Sequence, residues 1–452
     1  MARSTEKDSE QAFLLPLRDC PPESGHVSES SPRPNKRSNL RQLLALALLT
    51  ILTFGGIARD VWMKSHRTED ILPWNPEKAA RKVLASSPVI DGHIDLPILV
   101  RSYYANNASA FDLHDNMPGH VDIPRLKTGQ VGGFFWSAFV ACPDWAGYDD
   151  GEDFLNSTWR VRDTLEQIDI SRILISKYPD TFQQALTTQD IKAAIKKGKI
   201  ASLIGVEGGH QLGNSIAVMR QFYALGVRYV TLTHTCHNAF ADSCGTLPEK
   251  WGGLSPLGHS LIDEMNRIGM LVDLSHTSDN TARQALKYSK APVIWSHSSA
   301  RAVHTHERNV PDDILAMIGR GEGKKDAVVM VNFAPDFVAD PGKADLSAVA
   351  DHVEHIAAIA GRKHVGLGSD FDGIGSTPEG LEDVSKYPAL IVELINRGWK
   401  RPELEGLTGK NLLRVMEGAE YVAKHLQETG MAPVYDLYDK RTDLPRRSGS
   451  EL

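Results

Sequence analysis

At 452 residues, the chain is too long for one small domain and suits one large α/β barrel with extensions at both ends. Hydrophobic residues make up 41% and charged residues 24%, which argues against wholesale disorder and against a multi-span membrane protein. A formal net charge of −7 leaves no basic footprint for nucleic acid, and four cysteines without a C-x-x-C pair exclude a disulfide scaffold and a zinc knuckle.

Residues 1–39 are rich in Ser, Glu, Pro, Lys and Arg without periodic apolar positions, which predicts a disordered tail. The run from Leu43 to Ala58 carries no charge and with its flanks approaches the ~20 residues of a membrane span. Lys36, Arg37 and Arg41 precede it. The expectation is an uncleaved signal anchor over 40–62, giving a single-pass membrane protein with a cytoplasmic N-terminus and a lumenal or extracellular catalytic domain. A cleaved signal peptide is the rival reading, but its leader is normally short; a buried globular helix fits less well because the run is apolar all round. Residues 63–85 read as a linker. Asn107-Ala108-Ser109 and Asn156-Ser157-Thr158 are glycosylation acceptor patterns that fit the same compartment. Residues 431–452 read as a C-terminal polar tail without a glycolipid-anchor signal.

From residue 88 onward, short β-branched or glycine-punctuated runs alternate with amphipathic helical stretches. The runs are 88–91, 133–139, 202–206, 229–233, 270–274, 292–295, 327–331 and 364–368, and helical patterns include 159–176, 216–225, 257–268, 278–288 and 348–360. Eight such units predict a (β/α)8 TIM-type barrel over 86–430. An open doubly wound sheet is the alternative, but no G-x-G-x-x-G follows the first run. No short repeat is visible, which removes solenoids.

Polar residues just past the C-terminal ends of barrel strands share one mouth, where the chemistry is built. The first run ends in His93 and Asp95, two residues apart and so on one face of an extended chain. The third ends in Glu207, the fourth in His234, the fifth in His276, the sixth in His297 and the eighth in Asp370. His93, Asp95, His276 and His297 supply imidazole and carboxylate donors, and Glu207 has two oxygens with which to bridge two cations. Two metals roughly 3.5–4 Å apart can share a water, lower its pKa to near 7 and polarise a carbonyl. A single structural zinc would need only four ligands and would leave no open position. By contrast, His352 and His355 lie on a helix outside the barrel and read as a solvated face, one residue short of H-x-x-E-H. His210, His237, His304 and His306 are near the mouth and at most support it. No H-E-x-x-H or G-x-S-x-G occurs, so a covalent nucleophile has no candidate.

The chain resembles the membrane (renal-type) dipeptidases, zinc peptidases of the amidohydrolase-like barrels, from about Val89 to beyond Met416. The resemblance is carried by Asp91-Gly92-His93-Ile94-Asp95, Val206-Glu207-Gly208-Gly209-His210, Thr231-Leu232-Thr233-His234, Ser296-His297-Ser298-Ser299-Ala300, Arg308-Asn309-Val310-Pro311-Asp312 and Gly368-Ser369-Asp370-Phe371-Asp372-Gly373. It implies two Zn2+ per chain, one held by His93 and Asp95, the other by His276 and His297, with Glu207 bridging. It further implies that Asp370 moves the proton of a bridging hydroxide and contacts substrate, and that His234 and Arg308 grip the substrate. An arginine pairs bidentately with a free α-carboxylate, restricting the site to short peptides. The resemblance also pairs Cys142 with Cys236. The second intrachain pair, the interchain cysteine and the glycolipid signal of the mammalian members are missing, which leaves Cys244 unpaired and any homodimer non-covalent.

The expected function is hydrolysis of dipeptides with free amino and carboxyl termini by a binuclear zinc centre. Manganese or cobalt would be accepted by the same ligands. Another barrel metallohydrolase, acting on lactones, phosphotriesters or N-acyl amino acids, is the nearest alternative; one acting on neutral esters would not need Arg308 and His234 at the mouth. A catalytically silent, membrane-anchored binding protein is the alternative of a different class, and it would have no use for five ligands and Asp370.

Overall fold

The computed structural model describes residues 36–69, 72–142, 159–245 and 248–440. It divides into two compact units, Met1–Thr68 and Glu69–Leu452. The second unit is built on nine strands: β1 (Val89–Ile94), β2 (Val131–Ala138), β3 (Phe182–Gln184), β4 (Ile200–Val206), β5 (Val227–Thr231), β6 (Leu271–Asp273), β7 (Val293–Trp295), β8 (Ala327–Val331) and β9 (Val365–Leu367). All pair in parallel in the order β1-β2-β4-β5-β6-β7-β8-β9, with β3 beside the start of β4. Ile94 bridges Phe371, the Asp95 amide donates to the Phe371 carbonyl at 2.8 Å and the Asp370 amide to the His93 carbonyl at 3.1 Å. Those bonds bring the last strand back to the first, so the eight-strand circuit is a nearly closed barrel wrapped in helices.

The strands are near-continuous apolar runs because both faces are covered. Alternation divides them. Ile90, Phe135, Leu203, Tyr229, Leu271, Ile294, Val328 and Met330 pack together in one buried cluster, while Phe134, Trp136, Ile204, Val230, Val272, Val293 and Val329 belong to the larger cluster shared with the helices. A Cβ on Gly205 would stand 2.1 Å from the Tyr229 ring, so only glycine lets that ring cross the interior towards β1.

Two of the helices that follow strands start at serine caps. Ser255 caps Pro256–Ile268 through the Gly258 amide, and Ser278 caps Asp279–Tyr288 through the Thr281 amide. All eight expected runs are strands; β3 is additional and escapes pattern reading because it is three residues long. The stretch expected as a linker contains the helix Pro76–Ser86, whose Ala79, Ala80, Val83 and Leu84 are buried.

The expected membrane anchor is not supported. Residues 36–69 form one helix of 34 residues, yet among the described residues no helix is long and apolar enough to cross a membrane. The uncharged run is confined between Arg41 and Arg59, short of the ~20 apolar residues of a span. Thr50, Thr53, Gly55 and Gly56 interrupt it; the two threonine hydroxyls turn back to carbonyls of the preceding turn. The single-pass topology and the compartment assigned from it fall with the anchor. Most of the expected disordered tail, residues 1–35, lies outside the described residues.

Candidate metal centre

His93 is the fifth residue of β1, fully buried, and Asp95 follows the strand at 2% exposure. The backbone around them is held by Asp91, whose carboxylate accepts from the His93 amide at 2.8 Å, the Ser369 amide at 3.1 Å and the Tyr387 hydroxyl at 2.5 Å. Burial raises the Asp91 pKa to about 6 against those bonds. Asp91 thus ties the first strand end to the loop that carries Asp370.

Glu207 follows β4, His276 lies three residues past β6, and His297 two past β7. Their side chains converge. Glu207 Oε1 lies 3.0 Å from His276 Nε2, 3.1 Å from His297 Nε2 and 3.6 Å from His93 Nε2. His93 Nε2 is 3.0 Å from Asp95 Oδ2 and 3.9 Å from Asp370 Oδ1, and the Nε2 atoms of His276 and His297 are 3.0 Å apart. Facing away, His93 Nδ1 meets the Tyr229 hydroxyl at 2.8 Å and His297 Nδ1 meets Ser296 Oγ at 2.8 Å. His276 and Asp370 adopt left-handed backbone with φ of 63° and 67°, a strained conformation for residues with a Cβ and one that concentrates at functional sites. The turn after Asp370 requires Gly373, since a Cβ there would come within 2.3 Å of Asp95 Oδ2.

The electrostatics separate the donors into two kinds. Burial holds His276, His297 and His234 well below the usual histidine range, with Arg308 adding to the effect on each, which favours the neutral ring in all three. Burial also disfavours charge on His93, but Asp95 and Glu207 outweigh it and raise its pKa to about 10. Burial pushes Glu207 well above the usual carboxylate range, with His93 opposing. Asp370 rises to about 7 through burial, opposed by His93 and reinforced by Asp95; its Oδ2 accepts from Asn332 Nδ2 at 2.8 Å.

These residues fit divalent cations. Three carboxylates and four imidazoles converge here, His93 Nε2 and Asp95 Oδ1 have no hydrogen-bond partner among the described residues, and three overlapping donor triads form: His93, Glu207 and His297; Glu207, His234 and His276; His93, Asp95 and Asp370. Like charges so close are costly without a counter-ion. A fourth group, Cys142, His210 and Cys236, is not available for metal because a disulfide joins Cys142 to Cys236.

The centre floors a cleft of about 720 Å³ whose walls include Phe139, His234, Thr235, Phe337 and Ile374. His234 Nε2 lies 3.9 Å from Glu207 Oε1. Arg308 is buried; among the described residues its guanidinium donates to Ser298 Oγ at 3.5 Å and the His297 carbonyl at 3.3 Å, and its Nε has no partner there. Asn107 is exposed after the helix Leu96–Tyr104, Asn156 lies outside the described residues, and Cys244 is free. His352 departs from the expected solvated face. It is fully buried, accepts from the Ala300 amide at 2.9 Å and meets the Val338 carbonyl at 2.9 Å, because its helix packs that edge against the loops after β7 and β8. Asn332, directly past β8, obeys the strand-end rule and is missed only because the seventh run was given no terminal residue. Tyr229 is missed because it points inward from mid-strand, where an aromatic reads as core.

The chain matches the family described as Membrane dipeptidase (Peptidase family M19) over residues 77–430. It is 43% identical to an uncharacterized dipeptidase of Schizosaccharomyces pombe, with 88% of this chain and 94% of the relative covered. It is 44% identical to dipeptidase verJ of Clonostachys rogersoniana, with 81% and 93% covered. Among solved structures, the probable dipeptidase PvdM of Pseudomonas aeruginosa shares the fold at a TM-score of 0.69 and 22% identity, covering 78% of this chain and 100% of that one. A metallo peptidase of Rhodobacter sphaeroides, liganded with a phosphinate mimic of the dipeptide L-Ala-D-Ala, aligns at a TM-score of 0.65 and 26% identity, covering 74% and 99%. The chain is therefore a member of the membrane dipeptidase family of metallopeptidases, peptidase family M19.

Proposed function

We propose that this dipeptidase hydrolyses dipeptides bearing free amino and carboxyl termini at a two-metal centre, with zinc as the metal. The observation that carries the proposal is the position of Glu207, whose one oxygen stands within 3.0–3.6 Å of imidazoles from both halves of the donor set. His93 and Asp95 would hold one cation, His276 and His297 the other, and Glu207 both. Such a pair supplies an activated water and polarises the scissile carbonyl.

The chain's own groups do the rest. Asp370, on the rim of the donor set and steadied by Asn332, takes the proton of the attacking water and passes it to the leaving amine. Arg308 offers an under-used guanidinium to the substrate carboxylate. His234 stands beside Glu207, placed to donate to the carbonyl oxygen as charge develops there. A phosphinate mimic of a dipeptide, the ligand of the Rhodobacter relative, has the tetrahedral geometry this arrangement would serve.

Glu207→Gln is the direct test. It should lose metal binding and dipeptide turnover together, and a fully active variant would overturn the proposal. A substrate panel separates the alternatives: dipeptides should be cleaved in preference to lactones and N-acyl amino acids.

A further inference from the structure

We propose that Asp273 and Ser296 form a positioning pair that locks the proton of His297 onto Nδ1 and so aims its Nε2 lone pair into the metal centre. The proposal rests on the two-metal reading above. Asp273 ends β6 and is fully buried. It accepts from four donors: the Thr231 hydroxyl at 2.6 Å, the Ser275 amide at 3.1 Å, the Ser296 amide at 2.8 Å and the Ser296 hydroxyl at 2.5 Å. A carboxyl group ringed by four donors acts only as an acceptor.

The consequence follows from counting protons. Ser296 Oγ has a single hydrogen, and the short contact commits it to Asp273 Oδ2. Towards His297 Nδ1, 2.8 Å away, the same oxygen therefore has only a lone pair to offer, and Nδ1 must carry the hydrogen. Nε2 is left bare, 3.1 Å from Glu207 Oε1. The ring is steadied further from its backbone, because the His297 amide donates to Ser275 Oγ at 3.0 Å. His276 has no such support among the described residues, where its Nδ1 has no partner. Of the two imidazoles in this half of the centre, His297 is the one whose tautomer the protein sets. Outer partners of this kind are worth 10–100-fold in metal affinity when removed.

A carboxylate in a barrel interior is costly unless its bonds are satisfied, and Asp273 also joins the ends of β5, β6 and β7 through Thr231, Ser275 and Ser296. A packing role must be told apart from a positioning one. Ser296→Ala keeps the volume nearly constant and removes the hydroxyl; Ser296→Thr restores it. Zinc release by a graded chelator is followed alongside the melting temperature of the metal-stripped proteins. The expected result is that Ser296→Ala gives up one of two zinc ions at 10–100-fold lower chelator strength, while Ser296→Thr behaves as the parent. If Ser296→Ala releases both ions as the parent does, whatever its melting temperature, the positioning role is overturned. If the parent itself binds fewer than two ions, the two-metal reading fails instead, a result distinguishable from failure of the pair.

Discussion

Replacing Arg308 by Met tests how the site selects its substrate. Methionine keeps an unbranched apolar stem beside Phe337, over whose ring the guanidinium lies at 5.3 Å, and deletes the charge. What the protein loses internally is small, because the two hydrogen bonds made by Arg308 are long, at 3.3 and 3.5 Å. What the substrate loses is larger: hydrogen bonds to charged groups contribute about 1.5–3 kcal/mol each, so a carboxylate held by two of them loses about 3 kcal/mol even if they are far from additive. That corresponds to a fall on the order of 10²-fold in kcat/KM. The assay compares a dipeptide with its C-terminal amide. The parent should prefer the free acid by roughly that factor, and Arg308→Met should cleave the two at similar rates, with the amide nearly unaffected. An equal loss on both substrates would refute carboxylate recognition and assign Arg308 to the electrostatics of Glu207 and Asp370, both of which it draws towards the ionised state.

Three further outcomes are expected. Asn332→Ala removes a donor that favours ionised Asp370, so the Asp370 pKa should rise and the acid limb of the kcat profile should move to higher pH; an unmoved limb would separate Asp370 from the rate-limiting proton transfer. His352 is held down to about 4 by burial. The unfolded chain then binds a proton that the folded chain refuses, so stability is present above pH 6.5 and lost as the pH falls towards 4, by about 3 kcal/mol at ~1.4 kcal/mol per pH unit. Denaturant unfolding of His352→Gln should show a lower stability at pH 7 and a flatter slope between pH 6.5 and 4; parallel slopes would contradict this. Cys142→Ser with Cys236→Ser opens a link between residues 94 apart, which should cost about 4–5 kcal/mol on the chain-entropy model. It should also raise KM, since Thr235 touches Cys142 and meets His234 Nδ1 at 3.1 Å; unchanged stability and KM would count against both statements.

The barrel was legible because its parallel strands, buried on both faces, read as short continuous apolar runs, and because the candidate metal donors fall at the ends of those runs. His93 and Asp95 share a face by the two-residue period of a strand, and Glu207, His276 and His297 lie one, three and two residues past the ends of their strands. The groups that hold these donors in place were not legible. Asp273 and Asp91 sit inside strands, where the pattern gives no sign that a carboxylate will be ringed by hydroxyls and amides from neighbouring strands. Tyr229 depends on Gly205, its register partner on the neighbouring strand. The anchor expectation failed for a different reason: composition identified an apolar helix but did not weigh its interruption by threonine and glycine and its confinement between arginines.

The central claim is that two divalent cations bound by His93, Asp95, Glu207, His276 and His297 carry the hydrolysis. It is tested most directly by measuring the metal content and the dipeptide turnover of one sample as a chelator is added and then zinc is returned. About two zinc ions per chain are expected, consistent with the two-metal arrangement, with turnover falling as they leave and recovering as they return. A protein that holds less than one ion per chain and still cleaves dipeptides at full rate would contradict the claim.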